Sequence, residues 1–366
     1  AMQEIRVEGR RIVSTDGKPI LLRGVNLSNG LDVCDKTFVR ESDIAQIANW
    51  GANCVRFMFH FAALESDDNP YVYRQDTLDQ MDRLIDWCEK YGVYCLLDFH
   101  MAQGGVNKVF FTYKGKNELW SVPDNQKRFL ALWNFLAERY HQRTCILYDV
   151  LNEPEPDHPD QWNELAAQAS AVIRKADPRH IIHVESMMRG RIELLQPTGD
   201  PNTIYGRHYY WPLALTRWKP DRTGMVPMQA YPGWMPASGK FPAEYYDRER
   251  MAQDWQSTVD FQNKHNVPII IGEFGAGPWR VKTHLPSVAN WLEDVLYFLG
   301  KYEWSWTWFY YKMEWRGRPH EFIAADWFSK GFDLDVLFLE IMAIVDRYGE
   351  KEELLERLRR QWRSPY

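Results

Sequence analysis

No run of apolar residues in this sequence approaches the roughly 18 needed to cross a membrane, so no spanning helix is expected. Basic excess is missing too. The 44 Lys and Arg face 50 Asp and Glu, and a net charge of −6 offers nothing to nucleic acid or an anionic membrane. Cysteine is sparse, with five residues and no paired spacing. Cys54, Cys95 and Cys145 lie in apolar strand-like runs, Cys88 in a helical pattern and Cys34 in a loop. That excludes a disulfide framework and reads as small buried hydrophobes. No Pro/Ser linker or low-complexity segment breaks the chain, so residues 1–366 are expected to form a single domain. The first residues, Ala1-Met2-Gln3, carry no secretory leader. A secreted or periplasmic mature chain is the expectation, although a cytoplasmic protein would begin in the same way.

What is present is an ordinary core-forming composition, 45% hydrophobic and 26% charged, with an unusual aromatic load of 17 Trp and 19 Tyr. Some of these belong to a core. Those outside strand and helix patterns suit the C–H faces of sugar rings, which stack on indole.

Taken in order, Ile5 to Val13 and Asp16-Gly17 read as a short N-terminal hairpin. Ile20 to Leu27 is a first buried strand; Asn26-Leu27-Ser28 at its end matches a glycosylation sequon. Strand and helix then alternate. Strands are expected at Asn53–Phe59, Tyr94–His100, Thr144–Leu151, His180–Glu185, Thr203–Tyr210, Pro268–Phe274 and Trp304–Tyr310. Helices are expected at Glu41–Trp50, Thr77–Lys90, Asp124–Tyr140 with Asp124 as N-cap, Asp160–Ala176, Tyr245–His265, Ser287–Leu299 and Phe332–Tyr348, with a poor helix around Ile192–Leu195. The last of these continues as a charged stretch to Arg360. Eight strand–helix units with no break predict an α/β fold, a single (β/α)8 TIM barrel. The long connections Met101–Pro123 and Trp211–Ala243 both follow strands, on the face where such barrels build their sites.

Two strand-tip glutamates stand out: Glu153 in Tyr148-Asp149-Val150-Leu151-Asn152-Glu153-Pro154, and Glu273 in Ile269-Ile270-Ile271-Gly272-Glu273-Phe274. Pro154 lacks an N–H and stops the first of them. Other strand ends carry Arg56, His100, His208 with Tyr210, and Trp306 or Trp308. Singly, a strand-end Arg is usually half of a surface ion pair, a His a satisfied structural group and a Glu a helix cap. Six strands presenting such groups at one end is not what scattered structural polarity produces. Two strand-tip carboxyls are what glycosidic cleavage requires: one to attack the anomeric carbon, one to move a proton. An arginine nearby favours the ionised form of the nucleophile.

The ordered set resembles glycoside hydrolase family 5, the cellulase-type family, from about Leu21 to Trp315. Its members are Arg in the second strand, Asp-Phe-His in the third, Asn-Glu-Pro in the fourth, His-x-Tyr in the sixth, Gly-Glu-Phe-Gly in the seventh and a Trp-rich eighth. The resemblance implies a retaining endo-acting β-1,4-glucanase with Glu153 as acid/base and Glu273 as nucleophile. It also implies that Asn152 binds the sugar 2-hydroxyl, that Arg56 and Tyr210 hold Glu273, and that His100 and His208 line the site. Trp306 is the preferred sugar platform, with Trp308 the alternative. Trp211, Trp218, Tyr231 and Trp234 in the long loop are expected to shape substrate choice, unless that loop packs on itself. Mannan, mixed-linkage glucan, xyloglucan and short glycosides remain open as substrates. No cofactor or metal is required, the partner expected is a poly- or oligosaccharide, and the protein is expected to be a monomer. Two rivals remain. One is a metal-dependent hydrolase using Asp98, His100, His208 and Glu153, weakened because no His-x-His occurs. The other is a barrel that binds glycans without cutting them, which would have no use for both glutamates.

Overall fold

Each expected strand is an apolar or alternating run, and each needs a neighbour for its backbone. In the computed structural model, which describes residues 2–31, 39–49, 51–108, 113–188, 190–216, 227–237, 242–276 and 278–311, they find those neighbours in a ring. Before the ring come β1 (Ile5–Glu8), β2 (Arg11–Ser14) and β3 (Pro19–Ile20), a three-stranded antiparallel sheet rather than a hairpin alone. The ring is formed by β4 (Arg23–Leu27), β5 (Cys54–His60), β6 (Tyr94–Met101), β7 (Ile146–Asp149), β8 (Ile182–Glu185), β9 (Thr203–Tyr209), β12 (Ile269–Phe274) and β13 (Ser305–Trp308). All are parallel and closed by the pairing of β13 with β4. The expected (β/α)8 barrel is thus the observed fold. Cys34, Trp218 and the expected terminal helix with its charged extension lie outside the described residues.

The helices form where apolar residues recur every three or four positions. In order they are α1 (Glu41–Asn49), α2 (Phe61–Leu64), α3 (Gln75–Tyr91), α4 (Pro123–Tyr140), α5 (Pro159–Ala176), α6 (Leu213–Thr216), α7 (Arg248–His265) and α8 (Pro278–Lys301). The helix α3 buries Leu78, Met81, Leu84, Ile85 and Cys88, as their spacing predicts, and ends at Gly92 with φ 71°. Each such aliphatic side chain contributes about 1.5–3 kcal/mol of transfer free energy.

Helix starts were less legible. Helix α4 begins at Pro123 with Val122 at the N-cap; Asp124 sits in the first turn, where its charge complements the helix dipole without capping. Helix α5 begins at Pro159, capped by His158. Tyr245 lies not in a helix but in β11 (Glu244–Tyr246), which pairs with β10 (Gly233–Met235); α7 follows, capped by Asp247. Ile192–Leu194 is a single 3-10 turn.

Two apolar zones surround the strands. Leu22, Cys54, Leu96, Leu147, Ile204 and Ile270 fill the lower lumen, and Ile5 and Ile12 of the N-terminal sheet cover it from below. Outside, the shell between strands and helices holds most of the fully buried indoles, including Trp133, Trp162, Trp255, Trp291 and Trp304. Two of these fix the upper strand ends. Trp133 donates its indole N–H to Val150 O at 3.0 Å, and Trp162 to Glu185 O at 2.9 Å. Much of the aromatic load is therefore scaffold. Asn26 of the sequon is fully buried, with Nδ2 donating to Gly272 O at 3.0 Å and Oδ1 accepting from Arg56, so it presents no acceptor for a glycan.

One irregularity aims a site residue. Along β12, Ile271 pairs with Arg207 and Glu273 with His208, so Gly272 is an extra residue against β9. This bulge reverses the alternation, turning Glu273 to the same side as His208 and Phe274 outward against Trp306 and Trp308. No helix among the described residues is long and apolar enough to cross a membrane.

Gly206 on β9 is a tight point in the ring. A Cβ there would stand 2.3 Å from His183 Nε2 and 2.5 Å from the backbone oxygen of Ile270. Gly206→Ala should cost about 1–3 kcal/mol of stability, as overpacking does. Urea unfolding of the two proteins would measure it, and an unchanged midpoint would contradict this packing.

Candidate active site

The upper lumen is polar because seven strands bring charged or hydrogen-bonding groups there. At its centre is Arg56 on β5, fully buried. Its Nε donates to Asp149 Oδ2 at 2.7 Å and its Nη1 to Glu273 Oε1 at 2.9 Å; Nη2 lies 3.0 Å from Asp98 Oδ1 and 3.1 Å from Glu185 Oε1. The same guanidinium donates to Asn26 Oδ1 and, at 2.9 Å, to Asn152 Oδ1. Asn152 Nδ2 is buried and has no hydrogen-bond partner among the described residues.

Above this cation sit the two strand-tip glutamates. His208 lies between them, its Nδ1 2.9 Å from Glu153 Oε1 and 3.3 Å from Glu273 Oε2. One oxygen of each carboxyl and His208 Nδ1 or Nε2 all lie within 4.8 Å of one another. Tyr210 donates its hydroxyl to Glu273 Oε2 at 2.8 Å. His100 is buried with Nδ1 2.6 Å from Asp98 Oδ2. Glu153 has φ 43°, the left-handed region, on a bulky residue directly before Pro154. Its N–H donates to Glu185 Oε2 at 2.5 Å, and Glu185 Oε1 lies 2.5 Å from His208 Nε2.

Burial disfavours every charge here, and neighbours decide which survive. Burial raises the Glu273 carboxyl above its ordinary range; His208 and Arg56 oppose this, and Glu153 adds to it. Arg56 thus favours the ionised form of Glu273, as expected, but burial outweighs it. Burial also acts against charge on His208, but Glu185 and Glu273 outweigh it and lift the imidazole well above its usual value. Burial raises Asp98 as well, whereas His183 and Arg56 overcome burial at Asp149 and hold it low. The Tyr210 phenol is pushed up by burial and by Glu273, so it stays a donor.

Of the residues picked from the sequence, Arg56, His100, Asn152, Glu153, His208, Tyr210 and Glu273 meet in this lumen. The tryptophans do not. Trp306 is only 3% exposed and packs edge-on to Phe274 in the shell outside the barrel, which corrects its reading as the preferred platform. Trp308, half-buried, meets the same Phe274 ring at 5.4 Å. Trp211 is half-buried, and its carbonyl accepts from Trp291 Nε1. Tyr231 is buried with its hydroxyl on Asp294, so it anchors the loop. Trp234, 65% exposed, stands on the β10–β11 ribbon edge-to-face with Tyr245. Asp149, His183 and Glu185 were missed. The signal for them was alternation: His183 and Glu185 are two apart on β8, hence on one face.

The three donors Glu153, His208 and Glu273 have a spacing that a divalent cation could bridge. The fixed charge of Arg56, 2.9 Å from Glu273, disfavours a second cation there. Removing Arg56 would strand several buried carboxylates. Arg56→Ala should lower stability by about 3–5 kcal/mol at neutral pH. The deficit should shrink toward acid. Asp149, depressed in the fold, stabilises the native protein above its unfolded pKa and loses that contribution as it protonates, whereas the variant's unpaired acids are relieved by protonation. Denaturation of both proteins across pH measures this; a deficit that does not vary with pH would contradict it.

The profile of the cellulase family (glycosyl hydrolase family 5) matches residues 13–314. Endoglucanase C of Acetivibrio thermocellus is 29% identical over 300 residues, covering 76% of this chain and 85% of that protein. Cellodextrinase A of Ruminococcus flavefaciens is 26% identical over 270 residues, covering 70% and 76%. Among solved structures, Thermotoga maritima Cel5A in complex with cellobiose superposes with a TM-score of 0.64 at 25% identity, over 79% of this chain and 89% of that one. The chain belongs to glycosyl hydrolase family 5 and is a cellulase-type glycoside hydrolase.

Proposed function

We propose that the protein is a retaining, endo-acting β-1,4-glucanase in which Glu273 is the nucleophile and Glu153 the acid/base. The observation that carries this reading is the short gap between the two carboxyls, with an oxygen of each inside 4.8 Å. Retaining enzymes hold their carboxyls about 5–5.5 Å apart, whereas inverting ones need about 6.5–9.5 Å to admit a water. The substrate class is supported by the relatives, an endoglucanase and a cellodextrinase, and by the cellobiose bound in the structural neighbour.

On this reading Glu273, fixed by Arg56 and Tyr210, attacks the anomeric carbon as Glu153 protonates the departing oxygen. Asn152, its Oδ1 taken by Arg56, has Nδ2 left to donate to the neighbouring sugar hydroxyl. In the second half Glu153 removes a proton from water, which displaces Glu273. Because burial raises Glu273, activity should fall on the acid side above the ordinary glutamate range.

Two experiments test the assignment. Glu273→Ala should abolish hydrolysis of every substrate. Glu153→Ala should lose about 10²–10⁴-fold on polymers but still form the intermediate from an aryl glycoside with a good leaving group. Added azide should then give the β-glycosyl azide with Glu153→Ala and at most the α-azide with Glu273→Ala. The opposite anomers would exchange the two roles. Separately, the exposed Trp234 is proposed as a remote sugar contact. Trp234→Ala should weaken polymer hydrolysis more than that of a small aryl glycoside, since remote binding energy is realised in the transition state. Equal losses on both would return Trp234 to a structural role.

A further inference from the structure

Glu185 lies beneath the two glutamates, and it holds two things on which Glu153 depends. Its Oε2 accepts from the Glu153 backbone N–H at 2.5 Å, at the residue forced to φ 43°. Its Oε1 stands 2.5 Å from His208 Nε2, a close ion pair rather than a well-aligned hydrogen bond, while His208 Nδ1 stands 2.9 Å from Glu153 Oε1. The three side chains are 1%, 2% and 7% exposed as residues, so water does little to replace these bonds. The imidazole has two nitrogens and a carboxylate at each. A carboxylate that can only accept, placed at Nε2, makes Nε2 the protonated nitrogen of the neutral ring and turns Nδ1 toward Glu153.

We propose that Glu185 is a positioning residue for the acid/base: it fixes His208 as the Nε2–H tautomer, so that one proton is shared between His208 Nδ1 and Glu153 Oε1, and it pins the left-handed backbone that presents Glu153. This rests on the acid/base reading of Glu153. The shared proton leaves with the departing oxygen as the anomeric C–O bond breaks and Glu273 bonds the carbon. Afterwards Glu153 is a carboxylate and His208 a neutral ring whose Nε2–H still faces the Glu185 carboxylate. In hydrolysis of the intermediate, the proton taken from water returns to the pair as the bond to Glu273 breaks. The protein ends as it began. The negative charge of Glu185 raises the proton affinity of the pair, so the acid is retained to higher pH. The other charged or titratable groups facing this chain are Arg56 on β5, Asp98 and His100 on β6, Asp149 on β7, His183 on β8, Tyr210 after β9 and Glu273 on β12. All are left in place by a change at position 185.

Glu185→Gln removes the charge and, with one oxygen for two, leaves either the Glu153 N–H or the His208 Nε2–H without an acceptor. The alkaline limb of kcat/KM should move down by about one pH unit or more. The loss should be at least about tenfold larger for phenyl β-cellobioside, which needs the proton, than for the 2,4-dinitrophenyl substrate, which does not. Glu185→Asp, keeping the charge, should lie nearer the wild-type limb. An unmoved limb, or equal losses on both substrates, would make Glu185 merely structural and overturn the proposal. A reading without turnover or substitution at 185 comes from nitrogen NMR of the wild-type protein labelled in its histidine rings, with His208 assigned by its loss in His208→Asn. Above the alkaline limb the ring should be the Nε2–H tautomer. A neutral Nδ1–H ring would overturn the proposal, whether or not the catalytic roles stand.

Discussion

Arg56 is buried, permanently charged and bonded or paired to Asp98, Asp149, Glu185 and Glu273. Without it, four carboxylates could not share one dry lumen, because desolvation and mutual repulsion would each force protons onto them. With it, the acids come to rest in different states. Asp149, which also faces His183, is held low, whereas Asp98 and Glu273 are pushed up. An ion cluster of this kind is weak as a source of net stability, since the desolvation of its members offsets much of the attraction. What it contributes is geometry: it ties β5, β6, β7, β8 and β12 together at one height and sets the two strand-tip glutamates above it.

The scaffold around the cluster is apolar on every other side. The lower lumen is plugged by one aliphatic or sulfur-bearing side chain from each of five strands and by Leu22 just before β4, and the N-terminal sheet covers it. The outer shell carries the indoles, two of which bond the main chain where β7 and β8 give way to site residues. A bulge at Gly272 supplies the last adjustment. With Gly272 paired in regular register instead of bulged, Glu273 would follow Ile271 onto the shell side and Phe274 would face the lumen.

Most of this was legible in the sequence because strand tips are marked by breakers. Pro154 after Glu153 and Gly272 before Glu273 punctuate their strands, and Arg56, His100 and His208 interrupt apolar runs. Residues beneath the tips carried no such mark. Asp149 and Glu185 close β7 and β8 with no breaker beside them and are visible only as polar positions in a two-residue alternation, which does not say which face is the lumen. The same ambiguity misplaced Trp306. In Ser305-Trp306-Thr307-Trp308 the small residues face inward, with Thr307 donating to Gly272 O and Ser305 accepting from Leu22 N, so the indoles must face the shell. Helix starts at Pro123 and Pro159 departed from expectation because Pro at the first helical position fixes the start whatever precedes it. The ribbon of β10 and β11 was hidden because Tyr245 and Tyr246 read equally well as the start of α7.

The account turns on Glu273 becoming covalently bonded to sugar. A 2-deoxy-2-fluoro-β-cellobioside with a dinitrophenyl leaving group slows the breakdown of that ester more than its formation. Incubated with the enzyme, it should release one equivalent of dinitrophenolate in a burst, add one fluorocellobiosyl mass to the protein, and leave that mass on the peptide containing Glu273. A label on any other residue, or steady turnover with no burst and no adduct, would contradict double displacement through Glu273.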